Sequence, residues 1–285
     1  MNAHPSFISA ALIQTMVESA LAEDLGDGDM TAQLIPAERT ALATVITREA
    51  ACLCGAAWLT HTFLRLDPTI NVVWHYNDGD MLAADATLCT ISGSARAILS
   101  GERTALNFVQ LLSGTATTTK RYVKLLEGTT TRLLDTRKTI PGFRLAQKYA
   151  VLCGGGNNHR LGLYDGFLIK ENHIAAAGSI TQAVMVARQQ RPNKSIEVEV
   201  ENITQLDEAI HCQADMALLD NFNDAQILSA IAHNAGRIKL EVSGNIDETR
   251  LRSLATIGVD YVSSGALTKH VRAIDLSMRF MTVPQ

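Results

Sequence analysis

Apolar residues recur at helical spacing near the start of the chain. Phe7, Ile8, Leu12, Ile13, Met16, Val17 and Leu21 share one face if residues 6–25 form an amphipathic helix. Between about residues 40 and 100 the pattern changes to short β-rich runs, Ala43–Thr47, Val72–Tyr76 and Leu88–Ile91. Turn signals such as Asn77-Asp78-Gly79-Asp80 separate these runs. From Gly101 to about Glu127 a second long helix is predicted, carrying Leu106, Phe108, Val109, Leu111 and Leu112.

Beyond about residue 130 a rhythm sets in, because short apolar runs end in polar residues. These are Leu133-Leu134-Asp135, Phe167–Lys170, Ile196–Glu201, Ala217–Asp220, Leu240–Ser243 and Tyr261–Ser263. Several intervals carry helical patterns, for example Thr204–Ala209 and Asp224–Ala232. Alternating β and α at this spacing predicts parallel strands joined by right-handed crossovers. About six strands are present, too few for a regular eight-stranded barrel. Polar residues gathered at the C-terminal ends of such strands are where barrel enzymes place their chemistry.

Composition supports one or two well-packed domains: 285 residues, 47% hydrophobic and 19% charged. The net charge of −4 supplies no global attraction to nucleic acid or an anionic membrane, so neither is expected as a partner. Any anionic ligand must be held by a local cluster of cations. Five cysteines (Cys52, Cys54, Cys89, Cys153, Cys212) form no CxxC pair, which reads as reduced thiols. No cationic stretch precedes an apolar run at the N-terminus, and no window reaches the length of a membrane span. A soluble, cytoplasmic protein is the expectation.

The cations are concentrated in residues 132–170: Arg132, Arg137, Lys138, Arg144, Lys148, Arg160 and Lys170, with His159 as a further donor. A solvated basic face would account for a charge run. However, Arg137-Lys138 follow one predicted strand, Lys170 ends another, and His159-Arg160 follow Gly154-Gly155-Gly156-Asn157-Asn158. Cations converging from separate loops suit a ligand with several carboxylates or phosphates. The glycine run fits neither a dinucleotide fingerprint nor a Walker loop.

Ile196 to Glu201 alternates strictly, so its three glutamates share one face. In a barrel the aliphatic face meets helices and the glutamates point inward; on an exposed edge they would face water. Glu199 and Asp220, at the ends of successive strands, suit Mg2+ and ribose hydroxyls when a substrate supplies phosphates. Ser243-Gly244-Asn245 and Ser264-Gly265 each follow a strand and precede a helical pattern. They read either as ordinary βα turns or as two parts of one phosphate site.

Together these segments resemble the quinolinate phosphoribosyltransferase family. The resemblance rests on Asp135–Arg144, Gly154–Arg160, Leu168–His173, Glu197–Asn202, Leu219–Phe222, Glu241–Asn245 and Gly265–His270, in order. Glu23–Gly26, Asp29–Thr31 and Gly101–Asn107 match as well, so it runs from about residue 20 to the C-terminus. It implies an N-terminal α/β sandwich-like domain over residues 1–115 and an incomplete, about six-stranded α/β barrel over 116–275, with the C-terminal tail packing back on the first. It also implies a homodimer with Arg103 reaching into the neighbour's site. Thr136, Arg137, His159, Arg160 and Lys170 would bind quinolinate, and Lys138, Glu199 and Asp220 would face the ribose, pyrophosphate and Mg2+. Ser243, Gly244, Asn245, Ser264 and Gly265 would hold phosphate. The implied reaction joins quinolinate to phosphoribosyl pyrophosphate, giving nicotinate mononucleotide, pyrophosphate and CO2 for NAD biosynthesis.

Three other readings are distinguishable. A Schiff-base aldolase using Lys170 leaves the arginines and the glutamate strand unexplained. A paralogous phosphoribosyltransferase would act on another ring carboxylate. A non-catalytic sensor of phosphoribosyl pyrophosphate would lack Lys138, Glu199 or Asp220, and all three are present.

Overall fold

The Ser9 hydroxyl accepts the Leu12 amide at 3.1 Å and so sets the start of the first helix, α1 (Ala10–Leu25). The predicted helix began at residue 6; the cap cuts it back, leaving Ile13, Val17 and Leu21 as the buried stripe. The computed structural model describes residues 4–281. After α1 come β1 (Thr40–Thr47), β2 (Ala51–Cys52), α2 (Ala56–Leu66), β3 (Asn71–Trp74), β4 (Met81–Leu82), β5 (Thr87–Ser94) and α3 (Ala95–Lys124). Then follow β6 (Arg132–Leu134), α4 (Arg144–Cys153), β7 (Phe167–Ile169), α5 (Glu171–Ala177), α6 (Ile180–Gln190), β8 (Ile196–Val200) and α7 (Ile203–His211). The chain ends with β9 (Met216–Leu219), α8 (Asp224–Asn234), β10 (Lys239–Ser243), α9 (Glu248–Ile257), β11 (Tyr261–Ser263), α10 (Ala266–Lys269) and β12 (Leu276–Phe280).

The chain divides into two units. Unit 1 holds the residues up to Lys120, Leu145–Gly155 and the chain from Val271; unit 2 holds Arg121–Arg144 and Gly156–His270. In unit 1 an antiparallel sheet in the order β12-β1-β5-β3 buries Val45, Cys89 and Ile91 against Leu59 and Phe63 of α2 and Ile98, Leu106 and Val109 of α3. The returning tail crosses α3 at Gly114, where a β-carbon would lie 2.1 Å from the Arg272 carbonyl oxygen, so only glycine admits it. Residues 144–153, which the sequence presents as part of a cationic stretch, fold as α4 with Lys148 fully buried.

Unit 2 contains a six-stranded, all-parallel sheet in the order β6-β11-β10-β9-β8-β7. Successive strands are neighbours, and β11 returns to β6, so only the β6–β7 pairing is missing from a closed ring. Hence the architecture is α/β: unit 1 carries the antiparallel sheet and unit 2 an incomplete parallel barrel. Beside β6, the Asn157 amide donates to Leu133 O at 2.9 Å and the Asp135 amide donates to Asn157 O at 3.0 Å. In β8, Ile196, Val198 and Val200 are fully buried, Glu197 is 3% exposed and Glu199 is half-buried, whereas Glu201, past the end of the strand, is exposed; the inward face therefore holds two of the three glutamates. Among the described residues no helix is long and apolar enough to cross a membrane.

Candidate active site

Side chains at the C-terminal ends of the barrel strands surround a cavity of about 330 Å³ in unit 2. Thr136, Arg137 and Lys138 enter from the loop after β6, His159 and Arg160 from the turn before β7. Leu168, Lys170, Leu218, Glu241, Ser243 and Ser263 complete the lining. Four cations from three separate segments therefore share one cavity. Arg132 is exposed at the start of β6, and Arg144 braces the loop by donating from Nε to Thr139 Oγ1 at 3.0 Å.

Asp135 organises this arrangement. It is fully buried at the end of β6, and its carboxylate accepts the His159 amide at 2.9 Å and Asn158 Nδ2 at 2.7 Å. The turn carrying His159 and Arg160 is thereby fastened to the strand that carries Arg137. On the other side, Thr268 Oγ1 donates to Lys138 O at 2.7 Å. Gly265 admits the loop closely: a β-carbon there would lie 2.9 Å from Lys138 Cδ and 3.3 Å from Thr136 Oγ1.

Arg137 and Arg160 lie close enough to affect each other. Burial first, and then the positive charge of Arg137, pull Arg160 below the usual arginine value. Arg160 Nη1 donates to Gly166 O at 3.1 Å, whereas Arg137 Nε is buried without a hydrogen-bond partner. Two partly desolvated guanidiniums, one with an unused donor, form a site whose cost is relieved by an anion. Lys170 Nζ lies 2.5 Å from Glu199 Oε2, placing a carboxylate beside the cationic floor.

Behind the cations lies a buried acidic pair that the sequence reading did not assign to the site. His159 Nε2 is 2.7 Å from Glu197 Oε2 and 3.6 Å from Glu241 Oε2. Glu241 is 1% exposed; burial, and then the charge of Glu197, push its carboxyl far above the usual range. Its sequence signal was a charged residue inside an otherwise apolar parallel strand, the same signal Glu197 gave. His159, Glu197 and Glu241 lie within 4.8 Å of one another as possible metal donors, but the imidazole edge is already engaged with Glu197. Mg2+ takes oxygen donors and retained waters, and Glu199 and Asp220, half-buried at the ends of neighbouring strands, offer carboxylate oxygens of that kind.

Ser263 and Ser243 are register partners on β11 and β10, with Ser263 Oγ donating to Ser243 Oγ at 2.8 Å. Ser264 is turned away: it is 3% exposed, its amide donates to Leu134 O at 3.0 Å and its hydroxyl to Ile246 O at 3.4 Å. Gly244 and Asn245 both have positive φ, +94° and +46°, forming a sharp turn after β10. The start of α9 is capped by Asp247, which accepts the Arg250 amide at 2.7 Å. An anion near β10 would therefore meet the Ser243–Asn245 turn before the helix. Arg103 belongs to unit 1, exposed on α3, and is not among the cavity's lining residues.

Residues 29–113 match the family model described as quinolinate phosphoribosyl transferase, N-terminal domain, and residues 115–279 match its C-terminal domain. The chain belongs to this family. A Mycobacterium leprae (strain TN) protein named nicotinate-nucleotide pyrophosphorylase (carboxylating) is 39% identical over 272 residues, covering 92% of this chain and 95% of that one. A Nicotiana tabacum protein named quinolinate phosphoribosyltransferase (decarboxylating) 1b is 35% identical, covering 98% of this chain and 84% of that one. The solved structure of the nicotinate-nucleotide pyrophosphorylase from Francisella tularensis superposes with a TM-score of 0.94 at 48% identity, covering 96% and 98% of the two chains.

Proposed function

We propose that this chain joins quinolinate to phosphoribosyl pyrophosphate, releasing pyrophosphate and CO2 and forming nicotinate mononucleotide for NAD biosynthesis. The observation that carries the reading is the convergence of Arg137, Lys138, Arg160 and Lys170 on one cavity, with Arg137 Nε buried and unpartnered. That floor matches a ring bearing two carboxylates, with Thr136 and His159 alongside. Arg137 and Arg160 grip the carboxylates and orient the ring nitrogen toward the anomeric carbon. Orientation of two polyanions is the main catalytic task.

As the bond to pyrophosphate breaks, positive charge develops on the ribose. Glu199 and Asp220 stabilise that charge, and Lys138 neutralises the leaving group. Ser243, Gly244, Asn245, Ser263 and Gly265 hold phosphate oxygens, while Ser264 supports them by accepting the Ala266 amide at 3.3 Å. Glu199 and Asp220 would hold Mg2+, which when bound offsets the charge of pyrophosphate. Alkylating the ring nitrogen yields a pyridinium that accepts the electron pair left when the neighbouring carboxylate departs as CO2.

The working unit in this reading is a homodimer in which the partner's Arg103 completes the quinolinate grip. Five free thiols suit a reducing, cytoplasmic location. The test is product formation from quinolinate, phosphoribosyl pyrophosphate and Mg2+, with nicotinate as the parallel substrate. Nicotinate mononucleotide and CO2 are expected from quinolinate alone. Folded protein giving no product from quinolinate would overturn the assignment.

A further inference from the structure

Three potential metal donors meet in unit 1, none of them lining the cavity of unit 2. Cys54 follows β2, Asp78 lies in the turn between β3 and β4, and Cys153 is the last residue of α4. Their donor atoms all lie within 4.8 Å of one another. Around tetrahedral zinc with Zn–S of about 2.3 Å, sulfur atoms stand about 3.8 Å apart, so modest side-chain rotation closes the set. We propose that Cys54, Cys153 and Asp78 bind a zinc ion that ties these three segments of unit 1 together.

The surroundings are arranged as the supports of a metal site are. Asp78 Oδ1 accepts the Ala56 amide at 3.1 Å and Oδ2 accepts the Tyr149 hydroxyl at 2.9 Å, which fixes the carboxylate while leaving lone pairs unused. Tyr149 stands one turn before Cys153 on α4, so one helix face supplies both a ligand and the group that orients another. Cys52 Sγ contacts Gly79 O at 3.5 Å and Cys153 O at 3.7 Å, bridging the backbones next to two of the ligands. Asp78 and Tyr149 also line a small cavity of about 50 Å³, together with His4. His4 Nδ1 is buried there without a hydrogen-bond partner.

Two thiolates and a carboxylate suit zinc better than Mg2+ or Ca2+, which take oxygen donors. A Cys54–Cys153 disulfide would leave the oriented carboxylate without a role. Burial, and then the shared contact with Cys153, push the Cys54 thiol well above its usual value. Zinc binding would replace the protons of both thiols, Zn2+ taking the place of two H+ on sulfur. In the chain, Cys153 precedes His159 by a short glycine-rich turn, so an ion at the end of α4 steadies the approach to that turn.

The full-length chain, reduced and stripped with a chelator, should be titrated with Co2+. A thiolate-to-cobalt charge-transfer band saturating at a single cobalt per chain, and bleached by Zn2+, is expected. The band should vanish in Cys153→Ser and persist in Cys212→Ser. Zn2+ should raise Tm by several degrees in the parent and leave Cys153→Ser unmoved. Cobalt bound only at the acidic groups of unit 2 would show no thiolate band. Absence of the band from reduced, folded protein overturns the proposal, as does its persistence in Cys153→Ser or a Cys54–Cys153 disulfide that after reduction binds no metal. Should Cys153→Ser fail to fold, X-ray absorption on the zinc-loaded parent decides: two sulfur neighbours support the site, and only nitrogen and oxygen neighbours overturn it.

Discussion

His159 is held between Glu197 and the Arg160 amide: its Nε2 lies 2.7 Å from Glu197 Oε2, and its Nδ1 accepts the amide at 2.7 Å. The amide can only donate, so Nδ1 carries the lone pair and Nε2 carries the proton given to Glu197. The imidazole is thereby fixed as one neutral tautomer whose Nε2–H is directed at Glu197. An ionised carboxylate at Glu241 would face the Glu197 carboxyl group in a dry environment.

Glu241 should accordingly tie stability to pH. Burial, then Glu197, raise its carboxyl from 4.5 to about 8. Its folded value lies above its unfolded one, so the native state holds the extra proton between these values and stability falls as pH rises through that window. Below it the contribution is fully present, and above about 8 the loss is complete. Glu241→Gln, which keeps the shape and removes the titration, should flatten the decline of Tm between pH 5 and 8. Parallel Tm-versus-pH curves for the two proteins would show that Glu241 is not protonated.

Arg137→Ala should weaken quinolinate binding while leaving Tm within a few degrees of the parent. Losing one charged partner of a desolvated anion costs about 2–5 kcal/mol, so KM for quinolinate should rise by about 30-fold or more. Arg137→Lys should recover only part, because a point charge does not replace the planar grip. Steady-state kinetics against quinolinate and phosphoribosyl pyrophosphate separately provide the check. Unchanged quinolinate saturation would remove Arg137 from the site.

Much of this site was legible in the chain because parallel strands buried on both faces must appear as short apolar runs with their polar residues at the ends. Each of the six runs became a strand, and the cations after β6 and β7 met as their positions required. Other features depend on single-residue register or on distant contacts. Ser263 rather than Ser264 lines the cavity, a distinction set by which of two adjacent residues faces inward. Glu241 was hidden because its partners His159 and Glu197 come from other strands and loops. The role of Asp135 lies in amide contacts with residues about 23 positions later, which no local pattern reports.

Gly265→Ala should separate activity from stability. The new methyl would meet mainly the flexible end of Lys138, 2.9 Å away, and φ at this position is −70°, which alanine adopts readily. Lys138 must therefore move while the backbone stays. A drop of about tenfold or more in kcat/KM for phosphoribosyl pyrophosphate is expected with Tm nearly unchanged, since displacing one cation from a polyanion site costs about 1.4 kcal/mol or more. An equal loss of stability and activity would show that the strain falls on the fold instead.

Arg103 offers the sharpest test of the proposed shared site. It is exposed on α3 of unit 1, whereas Lys138 lines the cavity of unit 2. Arg103→Ala and Lys138→Ala should each be nearly inactive as pure proteins. If the partner supplies Arg103, a mixed dimer has one cavity that receives both defects and one that receives neither. Co-expressing the two variants with different affinity tags and purifying the doubly tagged species should recover about half the parent activity, from the single intact site per dimer. If Arg103 instead acts within its own chain, both sites of the mixed dimer stay defective and no activity returns. Failure to isolate any doubly tagged species, with a monomeric mass in solution, would remove the dimer as well.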